Sequence, residues 1–454
     1  MSVHVVIAGG GFAGLEAVLA LRALAPRVRI TLVTNTGVML ERPTTVAEPF
    51  DRAVAPSHDV DAFARDQRIE VAFDRVVAVD ADDHAVELAG GRRLDYDRLV
   101  IATGAQTVAA LPDALQFRGP RDVETMRAVL NDLRSGAARS VAFVLPAAAT
   151  WSLPLYELAL MTGAELRADG VEGMAVTLVT PEPAPLAIFG DAAPAALRPV
   201  LDARGVTVVT GVGAARVQDG RLVLDDGRTV AADRVVALAA IVGRPPIGLP
   251  SDGAGVGPVD DHGRVAGLTD VFAAGDVTDG PVKQGGLATQ QADAVAEAIA
   301  GELGLVASPR PYRPVIRGLL LVGGAPLYLR ADLREGETAA ELLPGASAAS
   351  SSALWWPPAK VAGRYLAPYL ATARPSVLGE SELADRPAPP ARSSAAAAAP
   401  DHDEAVALAL ELAEADARIG DYDAAVRALD AARSVAGGLT PEYERKRDRW
   451  LQSR

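Results

Sequence analysis

Residues 5–18 read VVIAGGGFAGLEAV, and the reading of this stretch decides the fold. Gly9, Gly11 and Gly14 fit the spacing G-x-G-x-x-G. The run before them, residues 3–8, is apolar except for His4, as a parallel strand buried on both faces requires. Residues 15–24 are good helix formers stopped by Pro26, and residues 28–33 read as the next strand. In such a strand–turn–helix–strand unit the first glycine permits the tight turn. The second lets backbone approach a pyrophosphate, and the third lets helix pack on strand. The helix N-terminus adds N–H groups and the positive end of its dipole. A dinucleotide-binding fold is predicted. One position departs from the pattern: where an acid usually holds the ribose, Thr34 and Asn35 stand, leaving Asn35 as a weaker ribose partner.

Working outward, the segment 68–104 carries hairpin strands closed by polar or Gly-Gly turns and ends in YDRLVIATG, with Thr103 and Gly104 last. Residues 215–243 repeat that order around two Asp-Gly turns. Between the copies lies a second nucleotide-fold-like stretch, with strands at 140–145 and 175–180 around a helix at 154–161. Two further segments complete the set. Residues 269–276, TDVFAAGD, end in Gly275 and Asp276, and residues 281–300 form a glycine turn opening a long helix.

Composition narrows the function classes. A net charge of -14 over 454 residues argues against nucleic acid and anionic membrane surfaces, which need positive patches. The chain has no cysteine, which excludes disulfides, Cys-held clusters or zinc, and persulfide chemistry on a thiol; no metal site is expected. The best candidate for a membrane span, residues 318–329, is too short for a crossing and contains Gly323, Gly324 and Pro326. A cytoplasmic protein, at most peripheral to a membrane, is the expectation. Only Lys283, Lys360 and Lys446 among 44 basic residues are lysines, so each invites a reading for its compact ammonium.

Taken together, G-x-G-x-x-G, ATG and FAAGD over residues 1–310 resemble the FAD-dependent pyridine nucleotide-disulfide oxidoreductase superfamily. Within it the resemblance is to type II NADH dehydrogenases and to sulfide:quinone oxidoreductase and flavocytochrome c sulfide dehydrogenase flavoproteins. The resemblance implies FAD, with Gly9, Gly11 and Gly14 at its pyrophosphate and Thr103 and Gly104 near the adenine-side loop. Gly275 closes the strand before Asp276, which takes the ribityl hydroxyls, and Lys283 and Gln284 lie at the flavin pyrimidine edge, beside the N-terminus of a helix. By the same analogy Arg42 and Pro43 approach the flavin.

The fold class implied is α/β, with two Rossmann-like three-layer domains, one inserted in the other. The FAD-binding domain is expected at 1–118 and 237–310, and an NAD(P)-binding-like domain with a degenerate glycine loop at 119–236. An interface region follows at 311–386, then a Pro/Ala/Ser linker at 387–402 and tetratricopeptide-like helices at 403–454. In that tail Ala425, Leu429 and Ala432 share a helical face, and Thr440-Pro441 starts another helix.

The second domain departs from its nicotinamide-using relatives. Pro146-Ala-Ala-Ala-Thr-Trp-Ser-Leu-Pro154 stands where a second glycine turn belongs, so the fold allows NAD(P)H while the loop lacks its motif. Glu157 matches, through a longer turn, a Glu that faces the flavin as an acid/base or hydride-positioning group in the NADH dehydrogenases; a helix-surface Glu is the competing reading. Trp151 either covers the nicotinamide pocket or packs. Gln290 and Gln291 partly match quinone-pocket residues. Trp355, Trp356 and Lys360 suit either a planar or anionic partner or packing at a domain seam. The expected activity is an NAD(P)H dehydrogenase-like transfer from a small-molecule donor through FAD to a quinone-like or other small acceptor. Two readings stand beside it: a flavin-loaded redox-sensing or scaffold protein that meets a protein partner or a second copy through its C-terminal region, and cysteine-independent sulfide oxidation.

Overall fold

The computed structural model describes residues 2–146, 151–251, 253, 255–335, 342–373 and 439–452, with single positions between 410 and 433. The linker expected at 387–402 lies outside the described residues, as does most of 403–438.

Two parallel five-stranded sheets organise the chain. The first runs in the order Val271–Ala273, Arg98–Ile101, His4–Ala8, Arg29–Thr34, Glu70–Phe73. Its centre is the apolar run of the glycine motif, and all five residues of His4–Ala8 are buried. The second runs Leu115–Phe117, Arg234–Leu238, Ser140–Val144, Ala175–Val179, Val206–Val209. Residues 115–117 hydrogen-bond in parallel to Arg234–Leu238, so the second sheet reaches a few residues past both expected boundaries, 118/119 and 236/237. An antiparallel pair, Ala105–Val108 with Ala240–Gly243, joins the two domains.

The internal repeat takes shape as two three-stranded meanders. Val76–Asp80, Ala85–Leu88 and Arg93–Asp95 form one; Ala214–Gln218, Arg221–Leu224 and Thr229–Ala231 form the other. Both carry a bulge in the first strand, and Gly91, Gly220 and Gly227 take the left-handed conformation their tight turns need.

The region after residue 310 holds structure the sequence did not announce. Val315–Leu320, Leu327–Glu335 and Leu342–Ser350 form an antiparallel sheet, so the candidate membrane span is two strands and a turn. Ile316, Leu320, Leu329 and Ala331 share one core with Leu153, Tyr156, Leu160 and Phe189 of the second domain. Burying a side chain such as Phe189 or Leu160 contributes about 1.5–3 kcal/mol, so this sheet is welded to that domain. Farther on, Ala413, Ala425, Val426 and Leu429 pack with Trp450 of the helix Pro441–Gln452. No helix among the described residues is long and apolar enough to cross a membrane.

Candidate active site

The glycine turn shows why its residues are glycine. Gly9 has φ +124°, and a Cβ there would stand 2.0 Å from the Ala102 carbonyl oxygen. A Cβ on Gly14 would stand 1.8 Å from the Gly9 carbonyl oxygen. A Cβ on Gly11 would meet nothing within 4 Å. Two of the three glycines are therefore demanded by the chain itself, while the third faces open space at the N-terminus of the helix Phe12–Leu24. That space, with free N–H groups around it, fits the pyrophosphate of FAD. Asn35 is exposed just past the strand Arg29–Thr34, and Thr103 and Gly104 follow Arg98–Ile101 at the same edge of the sheet. Gly275 donates its N–H to Gln291 Oε1 at 2.7 Å.

From this edge a cavity of about 280 Å³ opens between the two domains and the C-terminal region. Asp276, Lys283, Gln284, Arg42 and Pro43 line it from the first domain, Trp151 and Glu157 from the second, and Arg317 and Lys360 from beyond residue 310. Lys283 is buried and donates to the Thr278 carbonyl. Gln284 caps the helix Gly285–Glu302: its Oε1 accepts from the Leu287 N–H at 2.8 Å, and its Nε2 donates to the Arg317 carbonyl at 3.1 Å. Asp276 titrates above the ordinary carboxylate range because burial disfavours its charge, and the nearby Lys283 and Arg42 cations oppose that rise.

Glu157 does not lie on a helix surface. It sits in Leu153–Ala168 with no exposed area, and Lys360 Nζ donates to both of its carboxylate oxygens at 2.7 Å. Oε1 also accepts the Leu321 N–H at 2.9 Å. Burial raises the Glu157 pKa, and the Lys360 charge pulls against it. Lys360 thus enters the site as the partner of Glu157, a link the sequence did not show. Trp151 does both things considered for it: it lines the cavity and packs tilted against Phe189, centroids 5.9 Å apart. The loop residues 147–150 lie outside the described residues.

Other candidates serve as braces. Gln290 Nε2 donates to the carbonyls of Gly286 (2.7 Å) and Val315 (2.9 Å), and its Oε1 accepts the Val315 N–H. With Gln291 held by Gly275, neither glutamine lines the cavity. Trp355 is buried against Tyr328 and donates to the Ala359 carbonyl at 3.0 Å, which places it in a seam. A second buried acid, Glu16, went unread in the glycine motif itself. Its oxygens accept the N–H groups of Tyr365 and Leu366, both at 2.7 Å. Burial pushes its carboxyl up to about 7.

Comparison with known proteins identifies the family. The family model described as pyridine nucleotide-disulphide oxidoreductase matches residues 3–297. An NADH dehydrogenase-like protein of Mycobacterium tuberculosis is 32% identical over 295 residues, covering 60% of this chain and 72% of that protein. The ferredoxin reductase component of chlorobenzene dioxygenase from a Cupriavidus species is 31% identical over 345 residues, covering 67% and 76%. The solved structure of sulfide:quinone oxidoreductase from Aquifex aeolicus shares the fold with a TM-score of 0.66 at 20% identity, covering 77% of this chain and 87% of that one. The chain belongs to the pyridine nucleotide-disulphide oxidoreductase family and is a flavin-dependent oxidoreductase.

Proposed function

We propose that this member of the pyridine nucleotide-disulphide oxidoreductase family passes electrons from a small-molecule donor through FAD to a quinone-like acceptor, at the cavity between its two sheets. The observation that carries the reading is the buried Glu157–Lys360 pair, which faces the same cavity as Asp276, Lys283 and Gln284. FAD, when bound, supplies the two-electron chemistry, and the protein supplies binding, orientation and charge.

In this reading Gly9, Gly11 and Gly14 hold the pyrophosphate, Asn35 a ribose hydroxyl, and Thr103 and Gly104 the adenine-side loop. Gly275 shapes the turn that presents Asp276 to the ribityl hydroxyls. Lys283 and the capped N-terminus of Gly285–Glu302 place positive potential where reduction adds negative charge. Glu157 and Lys360 hold a proton between them at the far wall, where they give or take it as the acceptor is reduced. The names of the relatives agree with the class: an NADH dehydrogenase-like protein, a sulfide-quinone reductase and ferredoxin reductase components.

The test is anaerobic. The purified protein shows the visible spectrum of bound FAD, is bleached photochemically, and is then mixed with a water-soluble quinone. Fast return of the flavin absorbance is expected, with at least a roughly 100-fold slower return in Glu157→Gln. A protein whose colour quinone does not restore, or a Glu157→Gln variant as fast as the parent, overturns the proposal.

A further inference from the structure

The second Rossmann domain has filled its own nucleotide site. In this fold an acidic residue just past the second strand holds the ribose hydroxyls beside the glycine turn. Here that strand is Ala175–Val179, parallel to Ser140–Val144, and the acid that follows it is Glu182. Its carboxylate is already engaged. Ser152 Oγ donates to Oε1 at 2.9 Å, while Tyr156 OH and Thr180 Oγ1 donate to Oε2 at 2.7 and 2.9 Å.

Ser152 and Tyr156 belong to the start of the helix Leu153–Ala168, the position from which a dinucleotide-binding helix faces phosphate. Three protein hydroxyls therefore occupy the carboxylate that would otherwise take the two of a ribose. The network is locked from outside as well. Tyr156 OH accepts the Leu186 N–H at 3.3 Å, and the Glu182 carbonyl accepts the Gly211 N–H at 2.9 Å. Ser152, Tyr156 and Thr180 are buried, so opening the site would strand their hydroxyls away from water.

The phosphate half of the site fails independently. No glycine occurs between Leu145 and Thr162, and Pro146 and Pro154 bring no N–H to a pyrophosphate. The residues present do not fit NAD(P)H.

We infer that the second domain is closed to donors carrying an ADP-ribose group, because Glu182 is clamped by Ser152, Tyr156 and Thr180 and the turn before Ser152 lacks glycine. The electron donor is then a nucleotide-free reductant that enters the central cavity directly. That cavity offers Phe117, Trp151, Leu238 and Leu319 as apolar walls, while Arg118 and Lys360 are paired with Asp122 and Glu157, which suits a planar molecule with an uncharged, oxygen-bearing edge. Two electrons leave this donor and the same two reduce the flavin. The choice of donor rests on the flavin-dependent reading above, whereas the closure of the domain does not.

The experiment titrates the FAD-loaded protein calorimetrically with ADP-ribose, NADH and NADPH, and follows the flavin spectrum anaerobically with each reduced nucleotide. No binding heat is expected up to about 1 mM, and no bleaching by either nucleotide, in a protein that photochemical reduction bleaches fully. Micromolar binding of ADP-ribose, or bleaching by NADH that saturates, overturns the inference. Glu182→Gln is the second arm: it should lower the melting temperature and leave the absence of nucleotide binding unchanged. A variant with an unaltered melting temperature but altered nucleotide affinity would assign Glu182 to a ligand instead. If the chain takes up no FAD, the electron-transfer reading fails, but the ADP-ribose titration needs no flavin and still decides this one.

Discussion

Glu16 and Glu157 occupy the same place in the two domains. Each is the fifth residue of the helix that follows its domain's central strand, Phe12–Leu24 in one and Leu153–Ala168 in the other. Each has no exposed area, and each reaches into the C-terminal region. Their partners differ in kind. Glu16 accepts two backbone N–H groups, at Tyr365 and Leu366, and so fixes a chain segment. Glu157 accepts the charged Lys360 at the wall of a cavity. The same position thus holds a backbone segment in the first domain and an ion pair at a cavity wall in the second, where the proposed function gives it chemistry. The glycine turns divide the other way: the first domain keeps an open phosphate site, and the second has closed its own.

The largest effect that would break this comparison lies at the first turn. Gly14→Val should leave no folded protein, because its Cβ meets a carbonyl oxygen at 1.8 Å. Gly11→Ala meets no protein atom within 4 Å, so it should fold normally yet lose at least about tenfold in FAD affinity. Thermal melting beside the flavin-to-protein absorbance ratio reads both. A Gly11→Ala variant with unchanged FAD content would mean that the open space is not the phosphate site.

Next comes the Glu157–Lys360 pair. Lys360→Met leaves a buried carboxylate without its cation and should cost about 3–5 kcal/mol. Combining it with Glu157→Gln should recover most of that stability and none of the quinone turnover. Denaturant melts and stopped-flow reoxidation check the two halves separately. Recovered turnover in the double variant would reduce the pair to packing and make Glu157 a staple like Glu16.

How much of this was legible depends on distance along the chain. The first turn was readable because its three glycines keep a fixed spacing within one strand–turn–helix unit, although only the Gly14 clash is local and Gly9 answers to the distant Ala102 carbonyl, and the bulged meanders announced themselves through repeated turn residues. Lys360 was noticed as a rare lysine, but its partner lies 203 residues away, and no local pattern joins them. Glu182 stands past the second strand, where an acid is a signal, but two of the three hydroxyls that clamp it lie 26 and 30 residues away and nothing local joins them. The sheet at 315–350 was hidden for a different reason. Its last strand, LLPGASAAS, alternates too weakly in polarity to declare one buried face.

Glu16 supplies a pH test of the staple. Its carboxyl is raised from 4.5 to about 7 by burial, and Asp293, hydrogen-bonded to it, is raised as well. A carboxyl raised on folding favours the folded state while it is protonated. Its contribution is therefore fully present below about 4.5 and is lost as the pH climbs through about 7. Glu16→Gln cannot ionise at this position, so its melting temperature should decline less steeply, the buried Asp293 supplying what remains. Thermal melts of both proteins between pH 5 and pH 8 make the comparison, and parallel curves would remove Glu16 as the source.

The smallest effect belongs to the closed site. Tyr156→Phe removes one of three hydroxyls from Glu182 while Ser152 and Thr180 stay in place, and should cost about 1 kcal/mol. The lost hydroxyl also accepts the Leu186 N–H, so amide exchange at Leu186 should speed up more than at the strand residues around it. If exchange there is unchanged, the network is looser than its distances indicate. The second domain would then be closed by its prolines alone, and the contrast between the two domains would rest on their turns and not on their acids.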